Sequence, residues 1–112
     1  MRRAEKDAIL EGERKMTEKE ARKELMRRAN DLSPTVHVGK EGIDEGVLNE
    51  IAAQLKNARL IKVKVLSTVD ADPKSVAEEL ASSTNSVIVD VRGSVIVLTD
   101  KRTWTSLSQK KF

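Results

Sequence analysis

Between residues 17 and 98 the apolar positions recur with two alternating periods. Ala21, Leu25, Met26 and Ala29 follow one another at three-to-four spacing, with Leu32 prolonging the row. Lys19, Arg22, Lys23, Arg27 and Arg28 lie around them, which predicts an amphipathic helix. Its start carries the capping-box form Thr17-Glu18-Lys19-Glu20, in which the threonine oxygen and the later glutamate satisfy free amides. Ser33-Pro34 ends it, because proline disfavours helix for the residue before it. Thr35-Val36-His37-Val38 is short and mostly β-branched, hence a strand. The glycine-rich loop "GKEGIDEG" comes next. Val47, Leu48, Ile51, Ala52 and Leu55 then mark a second helix, capped by Asp44 and ending at Asn57-Ala58.

"RLIKVKVLS" changes the period to two: Ile61, Val63 and Val65 alternate with Lys62 and Lys64, so this strand has one wet face and its lysines point to solvent. Asp72-Pro73 starts a third helix, an aspartate cap followed by proline at the first helical position, with Val76, Ala77, Leu80 and Ala81 on its buried side. "SVIVDVRGSVIVL" reads as two strands, Ser86 to Val91 and Val95 to Leu98, joined by a tight turn at Gly93-Ser94. The predicted order is α-β-α-β-α-β-β. Alternating strands and helices imply parallel pairing with right-handed crossovers, and the terminal hairpin is antiparallel. The expected fold is a single compact α/β domain with a four-stranded mixed sheet packed with helices.

The chain has 112 residues, the size of one domain. Residues 1 to 16 form a charged N-terminal extension, 17 to 100 the folded domain and 101 to 112 a basic C-terminal tail. Lys101, Arg102, Lys110 and Lys111 against Asp100 account for the whole formal charge of +3, so the body of the chain is balanced. A basic end on a balanced body allows binding to an anionic polymer. The chain has no cysteine, which excludes disulfides and thiolate metal sites and fits a reducing compartment. No apolar run approaches the roughly 20 residues of a membrane span, and "MRRAEKDAILEGERK" lacks the hydrophobic centre of a signal peptide. A cytoplasmic protein without a membrane partner is expected.

The glycine loop holds three of the chain's five glycines, Gly39, Gly42 and Gly46. A strand, a glycine turn and a helix N-terminus together suit an anion, since free amides and the helix dipole face the loop. The nucleotide-hydrolase loop needs lysine and then Ser or Thr after its last glycine, but Ile43 and Asp44 follow Gly42. The dinucleotide spacing is absent too, leaving a plain GxxG. A tight turn that holds nothing accounts for the loop equally well. Glu41 and Asp44 oppose an anion there, whereas Lys40, Lys62, Lys64, Arg59 and the basic residues of the first helix favour one if the fold gathers them. His37 is the only histidine and no GxSxG elbow is present, so neither a histidine metal site nor a serine triad is expected, and the chain reads as no enzyme and as needing no cofactor. Trp104 and Phe112 are the only aromatic residues, too few for a base-stacking sheet. Trp104 is expected to fold back on the sheet, the alternative being that it stacks on a base next to Lys101 and Arg102.

"LSPTVHVGKEGIDEGVLNEIAAQLKNARLIKVKV", followed by the Asp-Pro-led helix and the "VIVDVRGSVIVL" hairpin, resembles the CRM domain, the YhbY-like module named for chloroplast RNA splicing and ribosome maturation. The resemblance rests on an ordered set: Leu32 and Pro34, Gly39-Lys40-Glu41-Gly42, Gly46-Val47, Glu50-Ile51 and Leu60-Ile61-Lys62-Val63-Lys64. It implies a fold similar to the C-terminal domain of translation initiation factor three, and a GxxG loop that meets RNA backbone. With one copy of the module, the chain resembles the stand-alone members that bind precursors of the large ribosomal subunit. The expectation is thus a monomeric RNA-binding ribosome assembly factor whose partner is large-subunit rRNA or a pre-ribosomal particle. Its expected contacts are Gly39, Lys40, Glu41 and Gly42 in the loop, flanked by Arg27, Arg28, Arg59, Lys62 and Lys64. The alternative is a protein-interaction module that docks through the first helix and the basic tail.

Overall fold

The computed structural model describes residues 17–39, 42–66 and 71–108. The N-terminal extension at 1–16, Lys40 and Glu41 of the loop, and the last tail residues 109–112 lie outside the described residues. Helix α1 spans Glu18–Ala29, strand β1 Val36–Val38, α2 Glu45–Ala58, β2 Leu60–Val65, α3 Pro73–Thr84, β3 Ser86–Arg92, β4 Val95–Asp100 and α4 Lys101–Ser108.

Each start follows from local chemistry. The Thr17 hydroxyl accepts the Glu20 amide at 3.1 Å while the Glu20 carboxylate accepts the Thr17 amide at 3.0 Å, the reciprocal capping box expected for α1. Asp44 accepts the Val47 amide at 2.9 Å to cap α2, and Asp72 caps α3 with Pro73 at the first helical position. The hairpin turns through Gly93 and Ser94, with Arg92 opposite Val95.

The sheet is mixed, in the order β1-β2-β4-β3. β1 and β2 are parallel, Val36 facing Val63 and Val38 facing Val65. The second parallel neighbour expected from the alternating order is replaced by β4, which lies between β2 and β3 and pairs antiparallel with both. Apolar burial explains the insertion. β4 presents Ile96, Val97, Leu98 and Thr99 in succession, all buried, so neither of its faces can be given to water.

One core lies between the sheet and α2 and α3, built around Ile51, Leu55, Leu80, Val63, Ile96 and Leu98. The other lies under α1, where Leu25 and Ala29 meet Leu60, Val89 and Val97, with Met26, Trp104 and Leu107 packed against them. Leu32 falls beyond the end of α1 and is 38% exposed. The residues read as a basic tail begin with a helix: α4 follows β4 directly, and Trp104 folds back on the sheet as expected. The packing spends the apolar side of α1 inside the fold, which removes it from the surface that a docking partner would use.

The outer edge strand β3 is occupied at its centre. Arg22 on α1 donates from Nε to the Val89 carbonyl at 2.8 Å, and its guanidinium carbon lies 5.8 Å from the centroid of the Trp104 ring. The β3–β4 register shifts between Ile88 and Asp90, a bulge beside that contact.

Leu25→Ala is expected to cost about 2–5 kcal/mol of unfolding free energy, as for large-to-small changes in a closed core. Leu32→Ala should stay within about 0.5 kcal/mol, as exposed positions do. Urea unfolding of both variants measures the difference.

Candidate functional site

The loop expected to bind an anion lies where β1 ends and α2 begins. The Gly42 amide donates to the Gly39 carbonyl at 2.8 Å, and Gly42 has φ +79°, a backbone that side-chain-bearing residues adopt only with strain. Gly39 is different. Its φ lies outside the left-handed region, and an added Cβ would meet only Leu66 Cδ1, at 3.4 Å. The turn therefore requires glycine at 42 and not at 39. At the start of α2 the first-turn amides lack intrahelical partners; Asp44 takes that of Val47, and those of Glu45 and Gly46 remain directed out of the helix end. Of the loop amides considered for an anion, Gly42's is already used.

Sheet register builds the surroundings of this loop. His37 on β1 is opposite Lys64 on β2, Lys64 is opposite Val95 on β4, and Val95 is opposite Arg92 on β3. Directly paired residues point to the same face, so the four side chains form one row across the sheet. The row lies on the α1 side but outside the apolar patch of Leu60, Val89 and Val97 that α1 covers. His37 and Arg92 are exposed and Lys64 half-buried. Arg92 is ion-paired to Asp90 at 2.8 Å. Lys62, two residues back along β2, is also half-buried and donates from Nζ to the Leu32 carbonyl at 3.0 Å, tying the segment after α1 to the sheet. The expected solvated face is thus partly enclosed by its own chain.

Arg27, Arg28 and Arg59 do not gather around the glycine loop. Arg59 precedes β2, whereas Gly39 follows the β1 residue paired with Val65 at the far end of that strand. Six strand residues at ~3.3 Å each put about 20 Å between the two ends. Arg28 lines an open cavity with Arg59 and Arg102. Arg27 lies on the outer side of α1 beside Glu20, Lys23 and Glu24. Glu24 binds both neighbouring arginines, Arg27 Nη2 at 2.6 Å and Arg28 Nε at 2.9 Å. Hydrogen bonds from Arg27 first and Arg28 second hold its carboxyl below the usual carboxylate value.

Two residues join these clusters without having been singled out from the sequence, Arg92 and Arg102. The two-residue turn could have placed Arg92 opposite Val95, but its approach to Lys64 follows only from the insertion of β4. Arg102 was counted in the tail's charge and named only as a neighbour of Trp104, with no place beside Arg28 and Arg59. Among the described residues no group of three or more His, Asp and Glu is placed to hold a metal, and no helix is long and apolar enough to cross a membrane. At the start of α4, burial pushes the Asp100 pKa up. Hydrogen bonds from the Thr103 side chain and amide outweigh that effect and hold the carboxyl below its ordinary value.

Comparison with known proteins adds three findings. The family model described as the CRS1 / YhbY (CRM) domain matches residues 16–98. A protein of Methanocaldococcus jannaschii and the protein YqeI of Bacillus subtilis, each named "Probable RNA-binding protein", are 41% and 38% identical to this chain. The alignments cover 90% and 66% of this chain and 76% and 77% of those proteins, respectively. Among solved structures, the solution structure of a hypothetical protein from Staphylococcus aureus superposes with a TM-score of 0.65 at 36% identity, over 77% of this chain and 90% of the other.

Gly42→Ala should cost about 1–2 kcal/mol, the penalty of a left-handed backbone, while Gly39→Ala should melt close to the unsubstituted protein. Thermal unfolding checks both. Because the folded pKa of Glu24 lies below its unfolded value near 4.5, its stabilisation is complete above that pH and is lost as pH falls through the folded value. Glu24→Gln should accordingly flatten the acid side of the stability curve below about pH 4.5, as measured by urea unfolding across the acid range.

Proposed function

The chain belongs to the CRS1 / YhbY (CRM) domain family, and on that premise we propose that it binds structured RNA, gripping the phosphate backbone at the glycine loop. The observation that carries this reading is the row His37, Lys64, Val95 and Arg92, which starts beside the loop at His37, two residues before Gly39, and carries basic side chains from there across the sheet to β3. In this reading the Ile43 amide and the open first turn of α2 meet a phosphate, and Lys40 and Lys64 neutralise its neighbours. Glu41 remains at the loop as a charge that the contact must tolerate. Gly39, which the turn does not need, lets the strand approach. Lys62 contributes beside the row, Arg28 and Arg59 act at the far end of β2, and Arg27 acts from the outer side of α1. With Trp104 packed against the sheet, the binding mode is one of phosphates and shape rather than of bases stacked on aromatic rings.

The names of the two relatives support RNA as the partner. Within that class we take the target to be large-subunit rRNA in a precursor particle, bound by a monomer in the cytoplasm, as the resemblance to stand-alone members implies. Co-sedimentation of the native protein with free large-subunit particles supports that target. A peak confined to the top of the gradient overturns it.

The decisive experiment is a titration with structured RNA at about 50 and about 200 mM salt. Four phosphate contacts give a slope near −3, a loss of roughly fiftyfold across that range. Lys64→Glu is expected to weaken binding at least about tenfold at the lower salt and to make the slope shallower, and Gly39→Ala to weaken it with the fold intact. An affinity insensitive to salt, or unchanged in both variants, overturns the phosphate grip.

A further inference from the structure

Three arginines from three separate elements converge at the end of β2 remote from the glycine loop. Arg28 comes from the last turn of α1, Arg59 from the junction of α2 and β2, and Arg102 from the first turn of α4; with Thr103 and Ser106 they line an open cavity of about 400 Å³. Arg28 and Arg59 are each half exposed. Arg28 shares Glu24 with Arg27, Arg59 reaches Asp100 at 3.4 Å, and Arg102 makes no ion pair among the described residues.

The backbone of Arg59 supplies the second observation. It caps the C-terminus of α2 in the left-handed region, φ 71° and ψ −16°. Glycine takes that conformation freely, and asparagine is the side chain that tolerates it best. Helix α3 ends in the expected way, with Asn85 at φ 55°. An arginine at the same place in α2 is a residue that the helix end disfavours. The contacts of Arg59 within the fold do not call for its side chain. Its carbonyl accepts the Thr99 hydroxyl at 2.7 Å, a bond that any residue would provide. Its ion pair with Asp100 is long, and although the carboxylate is mostly buried the guanidinium is half exposed, so solvent screens the pair and limits what it adds to stability. What glycine or asparagine would lack is a guanidinium directed at the cavity.

We infer that Arg28, Arg59 and Arg102 form a second phosphate-binding site for the RNA backbone, at the opposite end of β2 from the glycine loop. The inference rests on the RNA reading above and extends it to a footprint about 20 Å long, the span of β2. Guanidinium forks suit phosphate oxygens in pairs, and three of them around one cavity exceed the two carboxylates, Glu24 and Asp100, that adjoin it. Lys62 lies between the two ends and would meet the same strand of RNA.

The test uses the full chain and an RNA hairpin with a single-stranded flank, titrated at low and moderate salt, with a thermal melt of every variant. Arg59→Gly is expected to melt no lower than the unsubstituted protein, because glycine relieves the left-handed backbone. It should nonetheless bind RNA about three- to tenfold more weakly, with a salt slope shallower by nearly one. Arg59→Gly combined with Arg102→Ala should remove nearly two from the slope. If both variants keep the unsubstituted affinity and slope while Lys64→Glu is weakened, the second site is overturned and the loop reading stands. If Arg59→Gly binds weakly but also melts lower, the arginine is structural and the inference fails. If the unsubstituted protein binds no RNA, the RNA reading falls and this inference with it.

Discussion

Strand β4 has to be dry on both faces, since Ile96, Val97, Leu98 and Thr99 are buried in succession, and an interior position between β2 and β3 meets that demand. From this placement the rest of the architecture follows. Ile96 and Leu98 meet α2 and α3 on one side, and Val97 meets α1 on the other, so one strand joins both cores. Thr99, fully buried and polar, has a partner because β2 starts directly opposite it and offers the Arg59 carbonyl. The same register carries Lys64 to one end of the sheet and Arg59 to the other.

The charged groups are distributed by that frame rather than by their order in the chain. His37, Lys64 and Arg92 are distant in sequence, yet strand pairing sets them in one row. Arg27 and Arg28, adjacent in sequence, face different surroundings, and both are held by Glu24. At both ends of the sheet arginines are partly neutralised by neighbouring carboxylates, Arg92 by Asp90 at one end and Arg27 and Arg28 by Glu24 towards the other. An RNA strand that replaces such a contact exchanges one charge-assisted hydrogen bond for another, so the net gain at each arginine is smaller than its formal charge suggests.

The local chemistry was legible in the sequence. The Thr17 box, the Asp44 and Asp72 caps, the Gly93-Ser94 turn and the two-residue period of β2 each depend on neighbours within a few positions, and each occurs where the sequence analysis put it. The family resemblance rested on the same local signals. The neighbours of β2 were not legible, because alternating order favours a parallel partner and only the burial of β4 on both faces decides otherwise. Helix α4 was missed for a related reason: eight residues with Trp104 and Leu107 as their large apolar side chains are too few to show a period. The left-handed Arg59 was hidden because residue preference argues against it. As for the loop, its glycines were evident in the sequence, but only the backbone distinguishes Gly42, which the turn needs, from Gly39, which it does not.

Arg22 has a consequence beyond the contact it makes. The sheet has two borders, β1 with three residues and β3 with seven, and only the longer one offers enough open backbone to template another strand. There, a guanidinium seated under the Trp104 ring occupies the Val89 carbonyl, and the adjacent bulge breaks the regular spacing that an incoming strand would match. A strand that meets this border therefore finds an occupied carbonyl and a broken ladder, which disfavours the joining of two sheets edge to edge.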